Sequence, residues 1–316
     1  MAGNVKGALP RNVGERSLGR RILNCWQLYI LLIPALIWLF LFAYYPMYGL
    51  VIAFKDFKIR RGILASPWID PWYKHFVDFF STSIAKTTIV NTVLLSLYQL
   101  LFSFWVPVVF ALLLNQIRSS RARRSIQTIS YAPYFLSNVV LVCIISVLFS
   151  STGVINSLIH SSGGNIINFT SEAAYFRPLY IGSTIWQTMG FNAIIYIAAL
   201  SGISPDLYEA ALLDGANKFQ RVWYIDLPSI LPTVILMFIL AVGNIMTIGY
   251  EKAWLMQAGG NTSVSEIIST YVYKTGLQSA QYSFATAVGL FNSVVNFIIL
   301  IIANLISKRL ADISIF

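Results

Sequence analysis

Six long stretches of this chain contain no Asp, Glu, Lys or Arg: residues 22–54, 87–117, 125–171, 178–205, 227–250 and 275–307. Each holds the roughly 20 apolar residues that a helix needs to cross about 30 Å of hydrocarbon. The apolar positions run continuously instead of alternating, which predicts helices and not the strands of a barrel. The expected spans are residues 27–51, 90–115, 126–149, 179–201, 229–250 and 284–306. Between the fourth and the fifth lies a polar, charged insert, EAALLDGANKFQRVWYIDLP, over residues 209–228.

Composition sharpens this picture. The chain has 316 residues, 57% of them hydrophobic and 11% charged, whereas a soluble domain carries about 25% charged residues. The expected fold class is all-α integral membrane with six transmembrane helices. Lys6, Arg11, Arg16, Arg20 and Arg21 precede the first span, Arg118, Arg121, Arg123 and Arg124 fill the short second loop, and Lys308 and Arg309 follow the last span. An excess of Lys and Arg marks the cytoplasmic side, so both termini are expected inside. The 52–86 loop is an exception, with Lys55, Lys58, Arg60, Arg61, Lys74 and Lys86 on the outer side. The net charge of +10 thus reads as topology and contact with anionic lipid, not as nucleic-acid binding.

The first span is too long for the apolar region of a signal peptide and lacks a small-residue cleavage site. Cys25 and Cys143 have no metal-ligand spacing and imply neither a disulfide framework nor a metal site. No loop exceeds about 35 residues, so the chain has no room for a nucleotide-binding domain. The expected organisation is an N-terminal arm over 1–26, one transmembrane domain over 27–308 and a tail over 309–316. In the first outer loop, Trp72, Phe76, Phe79 and Phe80 share one helical face, which suits either the membrane interface or packing against the bundle. The third outer loop, about 251–283, is long enough to fold back over the bundle.

The insert has strong helix grammar. Ser204 suits an N-cap, Pro205 the first helical position, and Asp206 and Glu209 the anion-favouring first turns. Gly215 is placed to end that helix in a left-handed conformation. A second short helix is expected from Lys218 to Asp226, broken by Leu227-Pro228 before the next span. Small residues at 210, 211, 215 and 216 let another surface approach closely.

Glu209-Ala210-Ala211, three residues, Gly215, and then Leu227-Pro228 resembles the EAA motif of ABC importer permeases, and Asp214-Gly215-Ala216 matches its usual D-G-A. The resemblance implies a type I importer fold whose first insert helix is a coupling helix seated in a cleft of an ATPase subunit. Glu209 would pair with a basic residue there and Gly215 would make the bend. Tyr45-Pro46-Met47-Tyr48-Gly49, Ala53-Phe54-Lys55-Asp56-Phe57, Tyr131-Ala132-Pro133-Tyr134-Phe135 and Thr286-Ala287-Val288-Gly289-Leu290-Phe291 narrow the likeness to LplB-type sugar permeases, across almost all of 25–316. Ile69-Asp70-Pro71-Trp72 departs from that pattern. The implied partners are a second permease, two ATPase subunits that hold the ATP and Mg, an extracytoplasmic solute-binding protein and an oligosaccharide, all at a bacterial cytoplasmic membrane. The chain itself would carry no cofactor and perform no hydrolysis.

An ion-coupled carrier or a passive channel is the alternative. A carrier needs an ionisable group within the membrane, and the expected spans contain no Asp, Glu, Lys or Arg. A sugar route needs amides, hydroxyls and rings instead. Asn138, Gln187, Asn192, Asn244 and Asn292 are candidates for it. Tyr250 and Glu251 join them, in Gly249-Tyr250-Glu251, which resembles the family's G-F-E stretch. Glu251 and Lys252 equally suit an interfacial ion pair.

Overall fold

The computed structural model describes residues 26–311; the expected arm up to Cys25 and the expected tail from residue 312 lie outside the described residues. The chain divides into two compact units, Met1–Val51 and Ile52–Phe316. In the first, helix α1 (Trp26–Leu39) continues through a π-turn, Phe40–Tyr44, into Tyr45–Met47.

The second unit is built from helices. Helix α2 (Ser83–Tyr98) passes through a π-turn, Gln99–Ser103, into α3 (Trp105–Asn115). Helices α4 (Ser120–Tyr131) and α5 (Asn138–Leu148) follow, then α6 (Ala173–Ser201) and the short α7 (Pro205–Leu213). Helix α8 (Lys218–Arg221) runs through the π-turn Val222–Asp226 into α9 (Leu227–Gly243), followed by α10 (Tyr250–Leu255) and α11 (Tyr282–Ala311). Among the described residues the extended pairing is an isolated bridge between Lys55 and Trp68. Four helical stretches are long and apolar enough to cross a membrane: Trp26–Phe54, Ser83–Asn115, Lys218–Gly243 and Tyr282–Arg309. Two more candidates are bent pairs, α4 with α5 at 101° and α6 with α7 at 72°.

Three expectations need correction. The span over 126–149 is not one helix. Ala132–Phe135 forms a 3-10 turn around Pro133, and Ser137 then caps α5 by accepting from the Val140 N–H at 3.3 Å. Proline cannot donate in the helical ladder, and a fresh N-cap restarts it in a new direction. The span over 229–250 stops at Gly243, and residues 244–249 leave the helix. Asparagines of α11 hold that segment: the Met246 N–H donates to Asn296 Oδ1 at 3.1 Å, and Asn292 Nδ2 donates to the Met246 carbonyl at 3.2 Å. Finally, Leu227-Pro228 does not break the chain, because α8, the π-turn and α9 form one continuous stretch.

A shared device explains that continuity. A proline ring inside a helix clashes with the carbonyl four residues earlier. For Pro46, Pro107 and Pro228 those carbonyls belong to Phe42, Ser103 and Tyr224, and each lies within a π-turn. The Leu227 N–H bonds to the Val222 carbonyl, five residues back. The wider turn makes room for the ring while the helix carries on.

Packing fixes the second unit around α6. Val108 and Ala111 of α3, Ala193, Tyr196 and Leu200 of α6, and Ile230 and Val234 of α9 form one buried cluster. The third outer loop does fold back: Asn91 of α2 donates to the carbonyls of Ser263 and Glu266, and the Ile268 N–H donates to Thr92 Oγ1 at 2.9 Å. Of the aromatic face of the first outer loop, Phe79 is buried among Tyr271, Phe284 and Phe291 and Phe80 also meets Phe291, while Trp72 stays exposed.

Gly190 of α6 lies against α4, where a Cβ would sit 2.2 Å from the Ser130 carbonyl oxygen. Gly190→Ala should therefore destabilise the protein by about 1–3 kcal/mol through overpacking, read as a lower melting temperature in detergent. Gly182→Ala in the same helix meets nothing within 4 Å and is the control that should not lose stability.

Candidate functional site: an exposed docking segment and a polar cavity

The insert forms two short helices joined by a left-handed glycine. Ser204 caps α7, its hydroxyl accepting from the Asp206 N–H at 3.3 Å, and Pro205 opens the helix. Gly215 has φ +75°, a region that costs an L-residue about 1–2 kcal/mol. Asn217 and Gln220 form a reciprocal capping box at the start of α8, with bonds of 2.9 and 2.8 Å. Glu209, Ala210, Asp214, Gly215 and Pro228 are exposed, while Ala211, Ala216 and Leu227 are half-buried. Around them lies an apolar fringe: Leu207, Leu212, Phe219, Trp223 and Tyr224 are exposed, and Leu213 is 90% exposed. Packing within the chain does not explain such a fringe beside charged residues; contact with another surface does.

Deeper in the bundle, α2, the π-turn Gln99–Ser103, α6, and the end of α9 with the segment after it line a cavity of about 270 Å³. Its walls include Gln99, Thr188, Asn192, Asn244 and Thr247, with no charged side chain. Ser96 and Ser103, also in the wall, bury hydroxyls that make no hydrogen bond within the chain. A second cavity of about 650 Å³ shares Ser103, Asn192 and Asn244 with the first. Neutral donors and acceptors with free valence suit a hydroxylated ligand.

Of the path candidates, the structure brings Asn192 and Asn244 together in this wall. The others stand elsewhere. Gln187 Nε2 donates to the Leu136 carbonyl at 3.0 Å and so ties α6 to the bend before α5. Asn138 Nδ2 donates to Glu251 Oε2 at 2.6 Å. Tyr250 stacks on Tyr273 with ring centres 5.0 Å apart. Asn292 holds the Met246 carbonyl. Thr184 and Thr188 in the wall were missed as candidates, although with Asn192 they recur every four residues along one helical face.

Glu251 and Lys252 do not form the expected pair. Lys252 is 6% exposed and points into α6, donating to Thr184 Oγ1 at 2.6 Å and to the Tyr180 carbonyl at 3.2 Å, with the Tyr180 ring 4.8 Å away. Thr184 itself lines the cavity, so this amine stands directly behind the wall. Burial pushes Lys252 down to about 7. Among the outer basic residues, Lys55 is also buried and donates to the Ile63 and Leu64 carbonyls, leaving less free charge on that loop than expected.

Comparison with known proteins agrees with this geometry. Residues 105–312 match the family model described as the binding-protein-dependent transport system inner membrane component. The chain belongs to that family. Protein LplB of Bacillus subtilis (strain 168) is 43% identical over 283 residues, 89% of this chain and 88% of the relative. The polygalacturonan/rhamnogalacturonan transport system permease protein YteP of the same organism is 40% identical, covering 90% and 88%. A solved bacterial ABC transporter involved in the import of the acidic polysaccharide alginate contains a chain that superposes with a TM-score of 0.86 at 38% identity, over 94% of this chain and 100% of that one. A related structure, of a bacterial alginate ABC transporter with an alginate pentasaccharide-bound periplasmic protein, matches equally well, with a TM-score of 0.86 and 37% identity over 95% and 100%. This chain is thus a membrane permease subunit with the type I ABC importer fold.

Lys252 gives the site a pH signature. Its folded value, about 7, lies below the ordinary 10.5, so between those values the unfolded chain binds more protons and stability rises with pH. Below about 7 both states are protonated and the slope vanishes. Thermal stability in detergent should rise between pH 7 and 9 relative to Lys252→Met, which lacks the amine. Parallel curves for the two proteins would show that Lys252 is not desolvated.

Proposed function

We propose that this chain forms, with a second permease, the path of an ATP-driven importer for oligosaccharides handed over by a solute-binding protein, and that α7 is the docking helix for an ATPase subunit. The observation that carries the reading is the insert: an exposed Glu209 and an apolar fringe on a capped helix, turned by Gly215 and joined without a break to α9. The Lys and Arg pattern supports a cytoplasmic position for it, with both termini inside. ATP and Mg belong to the ATPase subunits.

The mechanism is alternating access. ATP binding draws the ATPase subunits together, and only contacts that differ between the two arrangements can shift the permease between its states. The docking helix is the contact that changes. The wall of Ser96, Gln99, Ser103, Thr188, Asn192 and Asn244 offers the passing sugar hydroxyls neutral partners. One solved relative is described as involved in the import of the acidic polysaccharide alginate, YteP is named for polygalacturonan/rhamnogalacturonan transport, and Lys252 sits behind Thr184, so oligouronates are the first substrates to test.

The test is uptake into proteoliposomes containing both permeases, the ATPase subunits and the binding protein. Glu209→Ala and Gly215→Pro should each lower ATP-driven uptake at least ten-fold; unchanged uptake would remove α7 from the coupling role. Uptake by the purified chain alone, following a proton gradient, would favour the carrier. Asn192→Leu should reduce uptake while the ATPase subunits still co-purify, and undiminished uptake would place the sugar path away from this cavity.

A further inference from the structure

The insert carries a second feature, on its buried side. Asp226 is the last residue of the π-turn before α9 and is fully buried, at 0% exposure. Its carboxylate accepts from three side chains on two other elements. The Tyr208 hydroxyl of α7 donates to Oδ1 at 2.5 Å, Gln116 Nε2 donates to Oδ2 at 2.8 Å, and Asn115 Nδ2, at the end of α3, reaches Oδ1 at 3.4 Å. Asn115 Nδ2 also donates to the Tyr208 hydroxyl oxygen at 3.3 Å. Among the described residues no Lys or Arg forms an ion pair with Asp226; the carboxylate is held by neutral donors alone.

Arg221 is near enough to act on Tyr208 electrostatically but makes no ion pair with Asp226; a buried carboxylate without a contact ion pair is expensive, and its removal from water is tolerated only while its hydrogen bonds stay closed. Separating α7 from α9, or either from the end of α3, would strip donors from it. The cluster therefore penalises any motion of the docking helix that the two span ends do not share. We propose that Asp226, with Tyr208, Asn115 and Gln116, is a clasp that makes the docking helix, the end of α3 and the start of α9 move as one body, so that displacement at the ATPase contact reaches the spans undiminished. Asp226 and Tyr208 are positioning residues in this scheme. Tyr208 is half-buried and the adjacent Glu209 is exposed, so docking and clasping use neighbouring faces of α7, about 100° apart. Burial, assisted by the bond to Asp226, pushes the Tyr208 phenol up to about 12, which keeps it a donor throughout the physiological range.

The proposal rests on the importer reading. Its test measures sugar taken up per ATP hydrolysed in the reconstituted full transporter, for wild type, Asp226→Asn, Tyr208→Phe and the double variant. Loosening the clasp should lower uptake per ATP about five-fold or more in each single variant. The double variant should be no worse than the poorer single one, because both break the same bond. Tyr208→Phe keeps the ring and removes only the hydroxyl, so it remains informative if Asp226→Asn fails to fold. Folded variants that turn over more slowly but keep the wild-type ratio would reduce the cluster to a structural role and overturn the clasp. Absence of ATP-driven uptake by the wild type would instead remove the importer reading and the clasp with it.

Discussion

Inside hydrocarbon no water is available to a carbonyl that a helix leaves behind, and each unpaired one costs several kcal/mol. This chain breaks its helices repeatedly in its second unit, and several of the breaks are answered by a side-chain amide. Gln187 covers the Leu136 carbonyl, Asn91 those of Ser263 and Glu266, and Asn292 that of Met246. Asn156 holds Ser150 and Ile167, and Asn261 holds Met256 and Thr170. These amides allow a bundle of few spans to hold the re-entrant turns between them.

The same bonds explain what was legible in the sequence. Runs without charge located the apolar helices because hydropathy averages over many residues. The insert was readable to its caps, since Ser204, Pro205 and Gly215 act through local backbone geometry and need no distant partner. The loss of helix after Gly243 was not readable, because it depends on Asn292 and Asn296, which are far away in sequence. The bend at residues 132–137 has local causes, Pro133 and the Ser137 cap, but a proline alone does not decide between a bend and a continuous helix. Pro133 and Pro228 look alike as single letters, yet one stands at a bend and the other lies in a continuous helix. The difference is the π-turn that receives the Pro228 ring.

Polar residues in the spans carry a similar ambiguity. An asparagine that looks available for a sugar is as useful to an orphaned carbonyl, and Gln187 and Asn292 serve the framework in this way. The cavity instead draws on serines and threonines as well as on Asn192 and Asn244. Thr188 bonds to the carbonyl one turn back while standing in the wall. A hydroxyl that satisfies its own helix retains acceptor capacity for a ligand, so it can line a path without leaving a polar group stranded between substrates.

Those two uses of polarity meet at the insert. One face of α7 is left exposed, as the proposed docking role requires, and a neighbouring face is tied down by Tyr208. Force applied to the insert then has two routes into the bundle. One is covalent and helical, from α8 through the π-turn into α9; the other passes through Asp226 to the end of α3. A conventional proline break at Leu227-Pro228 would have made the first route a hinge. The π-turn keeps it a strut and, by its extra residue, also rotates the chain where Asp226 turns inward. Accommodation of one proline and burial of one carboxylate are in this sense a single structural decision, and under the proposed coupling role it would let a short exposed helix act on spans it does not itself belong to.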